Sequence, residues 1–299
     1  TPFEPGSVNK IITAAAAIQY GLTTPTEMLN VPGSITMGGA TVRDAWAHGQ
    51  VQYTTTGVFG KSSNIGTLEL AQRVGPDRYA DMVQRFGLGQ PTGVGLPGES
   101  GGSVPPQSQW SGSTFANLPI GQGLSMSLLQ MTGMYQAIAN GGTRISPRVV
   151  QATIAPDGTR TETPTPPGVD VVSPETANTV KDMFRAVVQD GKGQQRGTGV
   201  TAAVAGYQVS GKTGTAQQVD PNCGCYSNSQ YNITFAGMVP ADNPKYVVGI
   251  MLDAPKRAAD GKPGESAAPL FHDIASWLLL RNDVPLSPAP APVMTLAKE

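Results

Sequence analysis

Small and branched apolar residues run almost without interruption through residues 7–20, and Gly21 follows them. A segment that is apolar on all sides predicts a buried helix rather than a helix on the surface. Other apolar-patterned segments with helix-start or helix-stop residues at their ends predict helices at residues 62–74, 76–86, 124–140, 173–189 and 268–280. Helices therefore dominate the chain up to residue 189.

Three strand candidates follow one another late in the chain, at residues 207–216, 231–239 and 246–253. The short turn "PADNPK" joins the last two, which indicates an antiparallel meander. A loop-rich stretch over residues 22–60 is expected to hold short elements, including a turn of helix around residues 42–47, and residues 149–154 suggest a further strand. Helices followed by an antiparallel sheet predict an α+β fold, with helices flanking the sheet.

A sheet of only three strands would leave an apolar edge unpaired, and such an edge promotes association with other chains. We therefore expect strands N-terminal to Thr1 to complete the sheet in the intact protein. One domain is predicted over residues 1–281. The Pro- and Ala-rich tail that follows, residues 282–299, is expected to be extended or disordered.

Composition narrows the function classes. The chain of 299 residues has a net charge of −1 and no basic block, which argues against electrostatic binding of nucleic acid. Its two cysteines, Cys223 and Cys225, lie far from its two histidines, His48 and His272. These residues do not offer the four ligands of a structural zinc site, so neither a metal nor another cofactor is expected. The two cysteines could pair or remain free thiols.

The first candidate for chemistry is the pair Ser7 and Lys10 at the start of the buried helix. Residues three apart lie on one face of a helix, and a desolvated lysine can act as a base on a hydroxyl. On its own, the pair is more simply explained as a helix-capping serine and an exposed lysine. The rest of the chain has to supply the other groups that a nucleophilic serine needs.

Two further motifs supply such groups. Ser62 and Asn64 stand two apart before a predicted helix, where both can point into one cleft while Ser63 points away. The segment "KTGT", residues 212–215, lies on a predicted strand, where alternation puts Thr213 and Thr215 on one face and Lys212 and Gly214 on the other. Hydroxyls and an ammonium group suit a substrate carboxylate, and Gly214 lets a ligand approach the backbone.

The three motifs S-x-x-K, S-x-N and K-T-G in this order are the signature of penicillin-recognising serine acyltransferases. The segments "FEPGSVNKIITAAAAI", "FGKSSNIGTLELA", "VSGKTGTAQ" and "FAGMVPADNPKYVVGIMLDAP" resemble the transpeptidase domain of class B penicillin-binding proteins. The resemblance covers nearly the whole chain up to about Arg281. It is strongest to the division-specific septal peptidoglycan D,D-transpeptidases, and its details suggest an actinobacterial member.

The resemblance implies a role for each motif residue. Ser7 would attack the bond between the last two D-alanines of a stem peptide, and Lys10 would accept its proton. Ser62 would pass that proton to the leaving D-alanine, while Asn64 would bind the donor amide and hold Lys10. Lys212 would set the electrostatics of the cleft, and Thr213 and Thr215 would bind the terminal carboxylate of the substrate. Gly214 would allow the substrate to approach the strand closely. The backbone N–H groups of Ser7 and Thr215 would form the oxyanion hole.

The same resemblance implies a penicillin-binding protein/serine β-lactamase-like fold, whose first two strands precede the serine helix and are missing here. It also implies a location at the extracytoplasmic face of the cell membrane, with an N-terminal transmembrane anchor absent from this chain. The implied partners are peptidoglycan stem peptides, β-lactam antibiotics, a septal glycan polymerase and other division proteins.

Two alternatives use the same motifs. A serine β-lactamase or D,D-carboxypeptidase would pass the acyl group to water, and class A β-lactamases need a glutamate for that step. Glu69 and Glu99 lie in the middle of the chain, but neither stands in a recognisable context for such a base. A β-lactam sensor domain would be acylated once and would then signal.

Overall fold

The computed structural model describes residues 1–255 and 267–298. The helices are α1 (Lys10–Gln19), α2 (Thr55–Gly60), α3 (Asn64–Val74), α4 (Pro76–Arg85), α5 (Gly112–Asn117), α6 (Leu128–Ala139), α7 (Pro174–Phe184) and α8 (Ala267–Arg281). The strands are β1 (Met28–Val31), β2 (Ile35–Met37), β3 (Ala40–Val42), β4 (Val51–Thr54), β5 (Thr143–Arg144), β6 (Ala152–Ile154), β7 (Arg160–Glu162), β8 (Val169–Asp170), β9 (Ser210–Val219), β10 (Tyr226–Val239) and β11 (Tyr246–Asp253). Within the described ranges, no helix combines the length and the apolar character that crossing a membrane requires.

The central sheet consists of β9, β10 and β11 in the order β11-β10-β9. β10 pairs antiparallel with both neighbours, so that Phe235 lies opposite Thr213 on one side and Ile250 on the other. The predicted antiparallel meander is therefore confirmed. Among the described residues β11 pairs only with β10, and the completion of the sheet by strands preceding Thr1 stays a prediction.

Helices cover both faces of this sheet. On one face, Phe235 packs against Phe271 of α8 with ring centroids 4.7 Å apart. On the other face, Ala236 and Met238 belong to the larger core, which includes Met131 of α6 and is built around α1, a helix buried from Lys10 to Ala17. Since neighbouring residues of β10 point to opposite faces, the alternation along one strand joins two hydrophobic cores.

Helix starts follow the capping residues rather than the first apolar residue. The helix predicted over residues 124–140 begins at Leu128, because Ser127 and Gln130 form a capping box. The preceding Ser125 and Met126 instead form isolated β-bridges with Ser103 and Phe3. The helix predicted over residues 173–189 is α-helical to Phe184 and continues as a 3-10 turn, Arg185–Val188.

Two expectations for the less regular parts need correction. The turn of helix predicted around residues 42–47 is wrong, because β3 ends at Val42 and an irregular segment follows it. The strand predicted at residues 149–154 is shorter than expected and covers only Ala152–Ile154. Val149, Val150 and Ile154 are exposed, and the strand is limited to the residues that pair with β7.

The last described part of the C-terminal tail packs against the domain. Residues 294–298, which we call the C-terminal strap, run along β4. Thr54 N donates a hydrogen bond to Leu296 O over 3.0 Å, and Lys298 N donates to Gln52 O over 3.0 Å. The Leu296 side chain is fully buried. The strap therefore acts as an additional short strand along β4. It also lies beside α2, which follows β4 directly.

The hairpin between β9 and β10 ends in a loop closed by a disulfide between Cys223 and Cys225. Tyr226 follows it directly and donates a hydrogen bond from its hydroxyl to Glu4 Oε1 over 3.3 Å. The open question of cysteine pairing is thus answered in favour of the disulfide, and the loop contacts the segment that precedes Ser7.

Candidate active site

Ser7 lies in a 3-10 turn, Gly6–Asn9, that leads directly into α1. Gly6 has a positive φ of 64°, and a Cβ at this position would lie 2.6 Å from Thr215 O. Only glycine can bring the turn so close to β9 in this conformation. The sequence Pro5-Gly6-Ser7 therefore sets Ser7, the predicted nucleophile, against β9.

Three hydrogen bonds hold the turn on both sides of Ser7. Thr234 Oγ1 donates to Pro5 O over 3.2 Å, and Tyr135 Oη donates to Val8 O over 2.8 Å. Between them, the Gly6 N–H donates to Gly121 O over 3.1 Å. All of these donors belong to buried or closely packed parts of the fold, so the position of Ser7 is set before any substrate binds.

Lys10 is fully buried, and its ammonium nitrogen contacts the second motif. Nζ donates to Ser62 O over 2.8 Å, to Ser62 Oγ over 3.2 Å and to Asn64 Oδ1 over 2.7 Å. Burial lowers the pKa of Lys10 to about 7, and the negative charge of Asp44 opposes part of that shift. A lysine with this pKa is largely neutral slightly above pH 7 and can then accept a proton.

The turn between α2 and α3 presents Ser62 and Asn64 to Lys10 and turns Ser63 away, as predicted. Ser62 adopts a positive φ of 62°, a conformation that is uncommon for residues other than glycine and is often found at functional sites. Ser63 is buried and caps α3 by accepting a hydrogen bond from Gly66 N over 3.0 Å. Because the chain reverses at Ser62, the side chains of Ser62 and Asn64 face the cleft, whereas the side chain of Ser63 caps α3.

The K-T-G strand supplies the opposite wall. A Cβ at Gly214 would lie 2.2 Å from Thr234 Oγ1, on the face of the sheet that packs against the turn Gly6–Asn9. Thr213 Oγ1, in contrast, lies 2.8 Å from Thr198 Oγ1. This agrees with the predicted alternation along the strand. Lys212 is fully buried, and burial together with the like charge of Lys10 holds its pKa well below the usual range.

A cavity of about 300 Å³ joins the motifs. Its lining consists of Ser7, Ser62, Asn64, Thr213, Gly214, Thr215, Gly6, Ala45, Trp46, Lys61, Ile120, Gln122 and Thr198. Within the part of the chain that the structure describes, no carboxylate lines this cavity. A larger cavity of about 460 Å³ between α6 and β11 contains none of the predicted site residues. The structure thus brings all the predicted residues to one place, with Lys10 and Lys212 buried beside the cavity.

Sequence reasoning missed Asp44. Its side chain is completely buried and accepts hydrogen bonds from Ser63 Oγ over 2.8 Å and from Ile65 N over 3.0 Å. Asp44 lies in the irregular segment after β3, where no local motif distinguishes it from an ordinary surface aspartate. Only the tertiary contact with the Ser62–Asn64 turn shows that it belongs to the site.

Comparisons with known proteins agree with this geometry. Residues 1–276 match the family described as the penicillin binding protein transpeptidase domain. The chain is 69% identical to penicillin-binding protein PbpB of Mycolicibacterium smegmatis over 99% of its length, and it spans 46% of that relative. It is 33% identical to peptidoglycan D,D-transpeptidase FtsI of Escherichia coli, over 93% of this chain and 44% of that protein.

Among solved structures, penicillin-binding protein 3 of Mycobacterium tuberculosis complexed with ampicillin superimposes with a TM-score of 0.96. The two sequences are 67% identical, and the match covers 100% of this chain and 66% of the solved one. The mixed fold with its antiparallel sheet is common to this group. The chain therefore belongs to the family of penicillin-binding protein transpeptidase domains.

Proposed function

We propose that the chain is the catalytic part of a septal peptidoglycan D,D-transpeptidase, which forms an acyl-enzyme on Ser7 and is acylated by β-lactams. The observation that carries this proposal is the buried Lys10 ammonium group, held by Ser62 and Asn64 at the cavity that Ser7 lines. The name of the Escherichia coli relative and the ampicillin complex of the mycobacterial protein support it.

In the acylation step, Ser7 Oγ attacks the carbonyl carbon between the last two D-alanines of a stem peptide. Neutral Lys10 accepts the hydroxyl proton, for which its pKa of about 7 is well suited. Ser62, whose hydroxyl lies 3.2 Å from Lys10 Nζ, relays a proton to the nitrogen of the leaving D-alanine. The peptide C–N bond breaks, and an ester of Ser7 forms.

Residues of β9 and of the turn before α1 bind the substrate and stabilise the negative charge that develops during acylation. Thr213 and Thr215 bind the terminal carboxylate of the substrate, and Lys212 contributes positive potential whenever it is protonated. Gly214 leaves the strand free of a side chain where the nucleophile turn packs against it. The backbone N–H groups of Ser7 and Thr215 donate to the developing oxyanion, and each such donor typically contributes about 3 kcal/mol.

In the second step, an amine from a neighbouring stem attacks the ester and closes the cross-link. The kinetics are then ping-pong, because the first product leaves before the second substrate reacts. The resemblance to septal enzymes supports work at the division site with a glycan polymerase and other division proteins. It also supports a location outside the cytoplasmic membrane, with an anchor that precedes this chain.

The nearest competing function is that of a serine β-lactamase, and the residues that line the cavity argue against it. Neither Glu69 nor Glu99 is among the lining residues. Glu99 is engaged elsewhere, since it accepts hydrogen bonds from Thr92 N over 2.8 Å and Gly93 N over 3.3 Å. Among the residues that the structure describes, none therefore supplies the glutamate that class A enzymes use to activate water at the acyl-enzyme.

Intact mass spectrometry of the full-length protein after brief exposure to ampicillin tests the proposal, beside the Ser7→Ala variant. We expect a persistent adduct of one drug mass that is absent from the variant. A short-lived adduct with rapid drug hydrolysis would indicate a β-lactamase. If folded wild-type protein forms no adduct, the assignment of Ser7 is wrong. Turnover of a donor stem peptide with an added amine separates a transpeptidase from a sensor.

A further inference from the structure

The geometry points to Asp44 as a positioning residue for the proposed reaction: it fixes the turn that carries Ser62 and Asn64, and its negative charge acts on Lys10. This inference rests on the proposed function, in which Lys10 is the base. Asp44 does not line the cavity and is not expected to touch the substrate. It acts through the residues that do.

The positioning role follows from the contacts of its two carboxylate oxygens. Oδ1 accepts from Ile65 N over 3.0 Å, at the first turn of α3, and Oδ2 accepts from Ser63 Oγ over 2.8 Å. Ser63 lies between the two residues that hold Lys10. Because an aspartate at a helix N-terminus also interacts favourably with the helix dipole, the carboxylate anchors the start of α3 and the strained turn before it together.

The backbone around Asp44 reinforces this connection. Arg43 O accepts a hydrogen bond from Asn64 Nδ2 over 3.0 Å, so the amide of Asn64 is held by this segment and by Lys10 at once. Ala45 and Trp46, which follow directly, line the cavity. The irregular segment after β3 is therefore one wall of the site, and Asp44 fastens that wall to the turn.

The charge role follows from burial. The Asp44 side chain is fully buried, so solvent does little to screen its interaction with the fully buried Lys10. The charged and titratable groups that face these two residues are Lys212 beside Lys10, and His48, Tyr53 and Glu69 around Asp44. Asp44 is the acidic group among them whose charge raises the pKa of Lys10 against the effect of burial.

His48 is the imidazole that contacts the Asp44 carboxylate directly. Its Nε2 lies 3.0 Å from Asp44 Oδ2, and its Nδ1 lies 2.7 Å from Gly49 O. Both ring nitrogens therefore face acceptors. A test of Asp44 therefore has to separate the contribution of this ring from that of Lys10.

The expected consequence is a change in the pH dependence of acylation. Acylation requires neutral Lys10, so its rate rises with pH up to the pKa of Lys10 and is constant above it. Removing the negative charge of Asp44 makes the protonated form of Lys10 less favourable. The acid limb of the profile should then move to lower pH, by roughly half to one pH unit.

The experiment measures the rate of acylation of the full-length protein by a fluorescent penicillin between pH 5.5 and 9. Asp44→Asn keeps the shape and removes the charge; we expect a rate plateau lowered roughly tenfold or more and an acid limb at lower pH than in the wild type. Ser63→Ala is the matched control, because it removes one contact of Asp44 without changing any charge. It should lower the plateau and leave the acid limb in place.

A second control, His48→Gln, removes the ring that contacts Asp44 and should retain the wild-type acid limb. Loss of the limb in this variant would overturn the charge role of Asp44. Circular dichroism confirms folding, and Asp44→Ser, another neutral helix-capping residue, replaces Asp44→Asn if the latter does not fold. A folded Asp44 variant with an unshifted limb overturns the inference alone. Absence of acylation in the wild type would instead overturn the proposed function.

Discussion

Gly6 and Gly21 flank the nucleophile helix with nearly the same backbone conformation, φ of 64° and 65°, but in different surroundings. A Cβ at Gly6 would lie 2.6 Å from Thr215 O, whereas nothing lies within 4 Å of a Cβ at Gly21. The two positions therefore separate the cost of the backbone angle from the cost of the close approach to β9.

We predict that Gly21→Ala lowers the free energy of unfolding by about 1 kcal/mol, because a left-handed backbone is unfavourable for alanine. Gly6→Ala should cost about 2 kcal/mol more through overlap with the strand. It should also slow acylation roughly tenfold or more, since Ser7 is displaced from Thr215. Chemical denaturation and penicillin acylation rates measure both effects. Equal acylation rates in the two variants would show that the close approach does not matter for the reaction.

At the residue scale, the motif residues could be predicted because each motif has a fixed spacing on one element. Ser7 and Lys10 share a helix start, and residues 212–215 share a strand, so local geometry relates their side chains. Asp44 could not be predicted in this way. The inferred role of Asp44 depends on a contact between an irregular segment and a turn about twenty positions later. The residues next to Asp44 in the sequence do not indicate that contact.

At the scale of elements, the C-terminal strap ties β4 and α2 to the end of the chain. Thr54, which caps α2, donates from its hydroxyl to Thr295 O over 2.7 Å, and Leu296 is fully buried against this region. A Cβ at Gly57 of α2 would lie only 1.8 Å from Leu296 O. Since α2 leads into the turn that carries Ser62, the contacts of the strap with α2 also help to hold that turn in position.

We predict that Leu296→Ala lowers the free energy of unfolding by about 3 kcal/mol, because it leaves a cavity between the strap and α2. The matched control is Val293→Ala, three residues earlier, where the side chain is 89% exposed and the change should stay within about 0.5 kcal/mol. Urea denaturation of the full-length protein gives both values. Similar small effects for the two variants would mean that the strap contributes little to stability.

Elements with local signals were easier to predict than elements that depend on distant partners. Ser173 and Pro174 mark the start of α7, and Pro76 marks the start of α4, because capping residues act within one turn. Strands β1 and β4 were not predicted, since they are short and pair across 19 to 25 intervening positions. The strap was expected to be extended, but its docking on β4 depends on residues far away in sequence.

At the scale of the whole molecule, two buried lysines make stability depend on pH. Burial holds the folded-state pKa of Lys10 at about 7 and that of Lys212 well below its usual value, whereas a lysine in the unfolded chain titrates near 10.4. Between these limits the unfolded chain binds more protons than the folded one. Stability should therefore rise with pH across this window.

We predict that the free energy of unfolding increases from pH 7 to about pH 9.5, by up to about 1.4 kcal/mol per pH unit for each lysine. Above that range the trend should reverse, because the buried hydroxyls of Tyr79 and Tyr135 have raised pKa values and stay protonated in the folded state. Denaturation at a series of pH values measures the slope. Lys10→Met should flatten it, and an equal slope in this variant would contradict the prediction.

The distance along the chain between the strap and α2 has a consequence for biosynthesis. Thr54 and Thr295 lie 241 positions apart, whereas Lys10 and its partner Ser62 both precede the K-T-G strand in the chain. A growing polypeptide can therefore assemble the helical core early, but β4 lacks its contacts with the strap until residues 294–298 have been made. Such late closure slows folding and lengthens the period in which a nascent chain needs chaperone protection.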